Sequence, residues 1–268
     1  MDTWELIEHS LSNTINSPVS IFSKRSMPGG CINEAYSIKI DNGQQFFVKT
    51  NSSQFFPQFE TEALALNEIV NTKTLHAPRP ICHGANNAIS FLILEYIQAG
   101  QPREASWSDL GKGLAAMHAS ISTSFGWHCD NVIGATPQPN PQTKEWIDFF
   151  RIHRLGHQFR LCSEKGLTIK NSDTLLSNLP SFFIGHSPQP SLLHGDLWSG
   201  NTGFDNTGSP FIFDPCCYYG DREADLAFTE FFGGFHREFY ISYQDAWPLN
   251  EGYIIRKHLY NNKGFFEQ

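Results

Sequence analysis

Residues 192–201 hold the polar spacing that points most specifically to chemistry in this sequence. The run reads LLHGDLWSGN, so that His194 lies two residues before Asp196 and Asn201 lies five residues after it. This spacing is that of the catalytic loop in enzymes that move a phosphoryl group to a hydroxyl. Asp196 would accept the proton of that hydroxyl, and Asn201 offers an uncharged oxygen that suits Mg²⁺. The alternative interpretation is a polar loop that merely follows an apolar strand.

A second acidic residue, Asp214, follows a predicted strand a little further along the chain. Residues 202–204 and 211–213 are strand-like and flank a turn at 205–210. A hairpin there would bring Asp214 beside Asn201, where it could be a second ligand for Mg²⁺ on ATP. Asp-Pro pairs also start turns, so a purely structural Asp214 is the alternative.

Phosphoryl transfer also needs a cation beside the phosphates, and Lys49 is the candidate. It ends a predicted strand, and its carboxylate partner should lie on the next helix, predicted over residues 59–70. At 100° per residue Glu62 lies about 60° from Phe59 and within the apolar stripe, whereas Glu60 lies about 100° away. Because an inward-facing acid needs a cation, we predict that Lys49 pairs with Glu62. A solvated helix acid is the alternative.

A glycine pair precedes these elements, in residues 27–33, which read MPGGCIN. Gly29 and Gly30 would let backbone N–H groups approach phosphate closely. A turn without a ligand is the alternative. Cys31 follows directly, and electropositive surroundings would favour its reactive thiolate, so that oxidation could link two chains through Cys31. A small residue that fills a tight turn is the other interpretation of Cys31.

The elements before residue 97 are predicted to be strand-rich with one helix. Residues 35–40 and 44–48 are strand-like around an Asp-Asn-Gly turn, which favours a hairpin. Residues 90–97 form a nearly continuous apolar run of strand length, which is typical of a buried strand.

The elements after residue 97 are predicted to be mainly helical. Helices are expected over residues 108–119, with Leu110, Leu114 and Met117 facing the core, and over residues 143–165. The segment 126–142 between them is rich in Pro, Asn and Gly and predicts a long, functional loop.

Composition excludes several classes of protein. With 268 residues, 40% of them hydrophobic, the chain can form one large domain or two lobes. A net charge of −8 argues against general binding to nucleic acid or to an anionic membrane. No apolar run reaches the roughly 18 residues of a membrane span, and no signal peptide is evident. Six Cys without regular spacing predict reduced thiols in a cytoplasmic protein. The 11 His form no zinc-type cluster, so we expect no structural metal.

Together these motifs resemble the fructosamine kinase (ketosamine-3-kinase) family, which is related to aminoglycoside and choline kinases. The resemblance covers about residues 29–260. It is most specific at GGCIN (29–33), at residues 192–201 with their Trp-Ser-Gly insert, and from Asp214-Pro215 to YGDREADLA (219–227). It implies an α+β, bilobal, protein-kinase-like fold with a small antiparallel-sheet lobe and a larger helical lobe. The lobes would be residues 1–97, with a hinge at 94–97, and residues 98–268.

The resemblance also implies roles for individual residues. The backbone of Leu94, Glu95 and Tyr96 would meet adenine, and the loop that holds His128 and Asp130 would lie at the substrate side. The resemblance further implies that Asp196 is the proton acceptor and that Asn201 and Asp214 are the metal ligands. Arg222 and Asp225 would have structural roles. Trp198 could pack on the C–H groups of a sugar, or could simply fill the core.

The expected activity is an ATP-dependent phosphorylation of a sugar hydroxyl on a ketoamine, on free amines or on lysines of glycated proteins, as a repair reaction. The alternatives are a kinase for an aminoglycoside or choline-like substrate, and a pseudokinase that binds nucleotide without turnover. Relatives continue past residue 261 into a closing amphipathic helix, which we expect to be absent here. Its absence would leave an apolar face uncovered, or covered by a partner. The chain is expected to be a monomer or a Cys31-linked dimer.

Overall fold

A five-stranded antiparallel sheet forms the first part of the molecule. The computed structural model describes residues 2–28 and 32–266, and the side chains among them as far as Asn261. The strands lie in the order β1-β2-β3-β5-β4. Their bounds are β1 Ile21–Ser26, β2 Glu34–Ile40, β3 Gln45–Ser52, β4 Pro80–Ala85 and β5 Ile89–Glu95. The hairpin predicted around Gly43 is the β2–β3 connection.

Two helices cover the two faces of this sheet. Helix α2 (Phe56–Thr72) packs on the face that holds Leu92 and Leu94, through Phe59 and Leu66. Helix α1 (Thr3–Ile15) buries Ile7 and Leu11 against the other face. We did not predict α1, although Asp2 and Glu5 form a capping box at its start.

The rest of the chain is mostly helical, as expected. Short two-stranded ladders occur between the helices and carry the loops of the site. The helices are α3 Ser106–His118, α4 Trp146–Phe150, α5 Gly156–Glu164, α6 Ser172–Asn178, α7 Glu223–Phe231, α8 Arg237–Ala246 and α9 Tyr253–Phe266. The short strands are β6 Asn131–Ile133, β7 Thr136–Gln138, β8 Ser191–Leu193, β9 Thr202–Phe204, β10 Pro210–Ile212 and β11 Tyr218–Gly220.

Two of the predicted segments contain more structure than the sequence indicated. The helix expected over residues 143–165 is interrupted by a π-helical turn, Arg151–Leu155, between α4 and α5. That turn places the buried Arg154 against the loop 126–142, where its guanidinium donates to Asn140. The loop itself contains the β6–β7 hairpin.

The end of the chain differs from the expectation. Helix α9 continues to Phe266, so the stretch from residue 262 is helical where no helix was expected. No proline interrupts it, and its one glycine costs only about 1 kcal/mol relative to alanine. Ile254 and Ile255 on α9 are exposed. Among the described residues, no helix is both long and apolar enough to cross a membrane. A small antiparallel sheet followed by a mostly helical remainder is the predicted α+β arrangement. The lobe boundary at residue 97 remains a prediction.

Candidate active site

The loop that holds Asp196 leaves the core at the end of β8. β8 pairs with β11, with Leu193 opposite Tyr218, and both strands are largely buried. Gly195 has a φ of +84°, which glycine adopts without steric cost. A side chain at Gly195 would also collide with the backbone of Cys216. The loop can therefore turn sharply here only with glycine.

His194 is a neutral structural residue of this loop. It is fully buried, its Nε2 lies 3.0 Å from the carbonyl oxygen of Phe213, and its Nδ1 lies 3.3 Å from the Asp196 N–H. A neutral imidazole with the proton on Nε2 donates to the carbonyl and accepts from the N–H. Burial lowers the pKa of His194, more than the nearby Asp225 carboxylate raises it. His194 thus links the Asp196 loop to the strand end before Asp214.

Asn201 holds the carboxylate of Asp196. Its amide nitrogen donates to the Asp196 carbonyl oxygen at 2.8 Å and to the Asp196 Oδ2 at 2.9 Å. A backbone hydrogen bond from the Phe213 N–H to the Asn201 carbonyl ties this turn to the segment before Asp214. The predicted hairpin between residues 202 and 213 is the β9–β10 ladder.

Lys49 connects the sheet lobe to the helical lobe. Its Nζ lies 2.6 Å from Glu62 Oε1 and 2.6 Å from Asp214 Oδ1. Burial acts to lower the pKa of Lys49, but the two carboxylates outweigh it and raise that pKa, so the ammonium stays charged. The pair that helix periodicity predicted is therefore present, and Asp214 joins it. Asp214 has a φ of +57°, which Asp tolerates better than most residues.

Asp225, at the start of α7, holds the Asp196 loop through hydrogen bonds to its backbone. Its carboxylate accepts hydrogen bonds from the N–H groups of His194 at 2.7 Å and Gly195 at 2.9 Å, and from His118 Nε2 at 3.2 Å. Asp225 and His118 are both buried. Asp225 therefore has a structural role, as expected, and that role is to hold the backbone of the loop before Asp196. His118 was not among the predicted site residues, because nothing local marks it as a partner of a residue 107 positions away.

Trp198 lies over the loop on the side of α7. Its indole packs against Gly200, where a side chain would collide with it, and 4.9 Å from the ring of Phe232. Trp198 is half-buried and Phe232 is exposed. An aromatic surface therefore borders the Asp196 loop, and Phe232 was not among the predicted site residues.

The two other predicted substrate residues lie on the loop 126–142. His128 is exposed beside the ring of Trp127, at a centroid distance of 4.2 Å. Asp130 is exposed and accepts a hydrogen bond from the Asn140 N–H at 2.7 Å. The contacts that place both side chains lie within the loop, so their role toward a substrate stays a prediction.

The predicted nucleotide-binding backbone is only partly described. Leu94 is buried in the core, and the Glu95 N–H donates to the Arg79 carbonyl oxygen at 2.8 Å. The Glu95 carboxylate also accepts from the Arg79 guanidinium, and Tyr96 directly follows β5. Gly29, Gly30 and Cys31 lie outside the described residues.

The donor set at this site suits a hard cation. The Asn201 amide nitrogen donates to Asp196, which leaves the Asn201 Oδ1 as an acceptor. Asp214 adds a carboxylate, and the preceding residue, Phe213, is hydrogen-bonded to the Asn201 backbone. An amide and a carboxylate oxygen are ligands that Mg²⁺ prefers.

A second group of potential metal ligands already has a cationic partner. In the described part of the chain His186, Asp221 and Glu223 bring ligand atoms within 4.8 Å of one another. However, the buried Arg256 guanidinium binds both oxygens of Glu223, at 2.7 and 2.8 Å. An arginine there supplies the positive charge that a metal ion would otherwise supply.

Comparison with known proteins agrees with this geometry. A fructosamine kinase family profile matches residues 3–262. A Synechocystis protein named as a probable ketoamine kinase is 45% identical over 259 residues, which are 96% of this chain and 88% of that protein. A chloroplastic protein-ribulosamine 3-kinase of Oryza sativa subsp. indica is 41% identical over 241 residues, 88% of this chain and 70% of that protein.

Solved structures give the same result. The crystal structure of a Haemophilus somnus protein assigned as a fructosamine-3-kinase has a TM-score of 0.91 at 31% identity, and covers 98% of this chain and 89% of that one. A choline kinase of Streptococcus pneumoniae, at 15% identity and a TM-score of 0.63, shares the fold and covers 97% of this chain and 87% of that one. On the profile match and these identities, the chain belongs to the fructosamine kinase family.

Proposed function

We propose that this protein is an ATP-dependent kinase that phosphorylates a sugar hydroxyl of ketoamines, the adducts of reducing sugars with amines. The observation that carries the proposal is the convergence of Lys49, Glu62 and Asp214 in one ion-paired cluster, with Asp196 and Asn201 on the adjoining loop. Each of these groups has a separate task in phosphoryl transfer, and a nucleotide-binding pseudokinase would need only some of them.

In the proposed reaction Asp196 accepts the proton of the attacking hydroxyl. The Asn201 amide holds Asp196 Oδ2, which fixes the direction of the carboxylate toward its substrate. The Lys49 ammonium, held by Glu62, would bind the ATP phosphates. Asn201 and Asp214 would hold Mg²⁺, which supplies positive charge for the phosphoryl oxygens when bound.

The ketoamine substrate class rests on family membership and on the aromatic surface beside the loop. The names of the rice and Synechocystis relatives specify ribulosamine and ketoamine substrates. In this chain the half-buried Trp198, two residues after Asp196, packs beside the exposed Phe232, and aromatic rings can pack on the C–H groups of a sugar. His128 and Asp130 would contact the substrate. Phosphorylation that marks glycated lysines for removal would be a repair reaction.

A panel of acceptors tests the proposal. ATP consumption is measured with fructosyl-, ribulosyl- and erythrulosyl-lysine, with a peptide that holds one of these adducts, and with kanamycin and choline. We expect turnover with at least one ketoamine and none with choline or the antibiotic. Preparations of the Asp196→Asn variant serve as the control for contaminating ATPases.

The outcomes separate the alternatives. Turnover of kanamycin or choline alone would replace the ketoamine proposal with the other small-molecule kinase. ATP binding by calorimetry without turnover of any acceptor would indicate a pseudokinase.

A further inference from the structure

Helix α2 is held by contacts at three positions that follow one another at intervals of three residues. Glu62 binds Lys49, and three residues later the Ala65 carbonyl oxygen lies 3.7 Å from the Cys217 sulfur. Three residues further, Glu68 Oε1 accepts a 2.6 Å hydrogen bond from the Tyr219 hydroxyl. Residues three apart in a helix lie about 60° apart around its axis, so these contacts spread over about 120° of the helix surface and about 9 Å of its length. Two of the three partners belong to the helical lobe.

Tyr219 itself is fixed on both sides of its strand. In β11 it pairs with Leu192 of β8, the strand that leads to the Asp196 loop. On its other side the Tyr219 N–H and C=O exchange hydrogen bonds of 2.9 Å each with Gly126, at the start of the loop that holds His128 and Asp130. The hydroxyl therefore projects from a rigid part of the helical lobe.

The Tyr219–Glu68 hydrogen bond is a strong one. A hydroxyl that donates to a carboxylate forms a charge-assisted hydrogen bond, and such bonds contribute more than neutral ones. Both side chains are half-buried, which limits competition from water. Burial, and secondarily the Glu68 carboxylate, raise the pKa of Tyr219, so the hydroxyl keeps its proton at physiological pH.

We propose that Tyr219 is a positioning residue that holds α2 against the helical lobe, so that Glu62 stays in contact with Lys49. In the part of the chain that the structure describes, the Tyr219 hydroxyl bonds Glu68 and not a reacting group, so Tyr219 acts through Glu68 and the helix. The inference rests on the proposed function, because the nucleotide phosphates are what a correctly held Lys49 would bind. It also places Tyr219 between the predicted substrate loop and α2, since this residue bonds Gly126 through its backbone and Glu68 through its hydroxyl.

Two single substitutions and their combination test this role. Tyr219→Phe removes only the hydroxyl, and Glu68→Ala removes its acceptor. We expect each to raise the Kd for MgATP about tenfold and to leave the KM for the ketoamine within about twofold. Because both remove the same interaction, the double variant should be no weaker than either single one. Glu68→Gln keeps an Oε1 acceptor and should bind ATP nearly as wild type does.

A matched pair in the helical lobe supplies the control. Tyr253 donates to Glu230 Oε1 at 2.8 Å, so Tyr253→Phe loses the same kind of hydrogen bond away from α2. Hydrogen exchange of the α2 amides is compared in the absence of nucleotide. We expect exchange about tenfold faster in Tyr219→Phe and unchanged in Tyr253→Phe, even if both lower the melting temperature equally.

The possible results are distinct. If Tyr219→Phe matched Tyr253→Phe in both ATP affinity and α2 exchange, Tyr219 would be an ordinary core residue and the inference would fail. If wild type bound no ATP, the proposed function would fail, and the exchange comparison would still decide whether Tyr219 holds α2.

Discussion

The backbone N–H of Gly195 donates a 2.9 Å hydrogen bond to the Asp225 carboxylate, immediately before the proposed catalytic base. The same carboxylate accepts from the His194 N–H, so one buried side chain on α7 fixes the two residues that precede Asp196. Burial alone would raise the pKa of Asp225, but the hydrogen bonds it accepts outweigh burial and lower that pKa. Asp225 therefore stays ionised and acts as a fixed acceptor beneath the loop.

Replacement of Asp225 should lower the stability of the folded protein. Asp225→Asn puts an N–H₂ group where two backbone N–H groups need acceptors, and we expect a loss of about 2–3 kcal/mol in the free energy of unfolding. That corresponds to a fall of roughly 4–12 °C in melting temperature. Asp205 is the matched control, because it accepts from the Thr207 and Ser209 N–H groups in an exposed turn that Asn also tolerates. Equal melting temperatures for the two variants would contradict this account of Asp225.

Asp196→Asn should nearly abolish phosphoryl transfer while ATP still binds. General-base catalysis contributes about 10²- to 10⁴-fold, so kcat should fall by that factor. The loop should persist, because Asn201 also donates to the Asp196 carbonyl oxygen. Steady-state kinetics with a ketoamine measure the loss of turnover, and calorimetry measures whether ATP still binds. Turnover within a factor of a few of wild type would show that another group accepts the proton.

Asp214→Asn should weaken the proposed Mg²⁺ site, and it also removes one of the two carboxylates that pair with Lys49. We expect the Mg²⁺ concentration for half-maximal activity to rise at least about tenfold, since a hard cation binds an amide less strongly than a carboxylate. Mn²⁺ binding in the presence of ATP, followed by electron paramagnetic resonance, gives a readout besides activity. An unchanged Mg²⁺ dependence would remove Asp214 from the proposed metal site.

Trp198→Ala should raise the KM for the ketoamine about tenfold and leave the KM for ATP nearly unchanged. The reason is that Trp198 lies two residues after the proposed base and packs beside Phe232, whereas Lys49 makes its ion pairs with Glu62 and Asp214. Trp4→Ala is the control, because Trp4 is also half-buried and packs on a tyrosine, Tyr36, in the sheet lobe. If both KM values rose equally in Trp198→Ala, the indole would be a packing residue rather than a substrate contact.

The buried His118 should make stability fall at mildly acidic pH. Arg222 donates to the Tyr243 hydroxyl, which donates to His118 Nδ1, while His118 Nε2 donates to Asp225. This chain of donors fits a neutral imidazole. Burial lowers the pKa of His118, only partly offset by Asp225, with Arg222 lowering it further and Asp221 raising it.

The sign of the effect follows from proton binding. Below the ordinary histidine pKa of about 6.5, the unfolded chain binds a proton at residue 118 that the folded protein does not, so stability is lost as pH falls. Urea unfolding between pH 5 and pH 8 should therefore show a shallower pH slope for His118→Gln than for wild type. The exposed His9, replaced by Gln, is the control. Identical slopes for wild type and His118→Gln would show that His118 binds its proton equally in both states.

The sequence by itself determined the local parts of the site. The spacing of Asp196 and Asn201 keeps both on one short turn, and the β9–β10 hairpin returns the chain so that Phe213 bonds Asn201. Helix periodicity chose Glu62 over Glu60 because burial on one stripe depends only on neighbouring residues. The capping box of α1 is an equally local signal, although we did not predict that helix from it.

Only the tertiary structure decided which distant residues meet. Asp225 lies 30 positions from Gly195, and Tyr219 lies 151 positions from Glu68, so no local pattern encodes either contact. The same holds for Phe232 beside Trp198. A buried acid or tyrosine reveals in the sequence that it needs a partner, but the packing of helices and strands determines which one it finds.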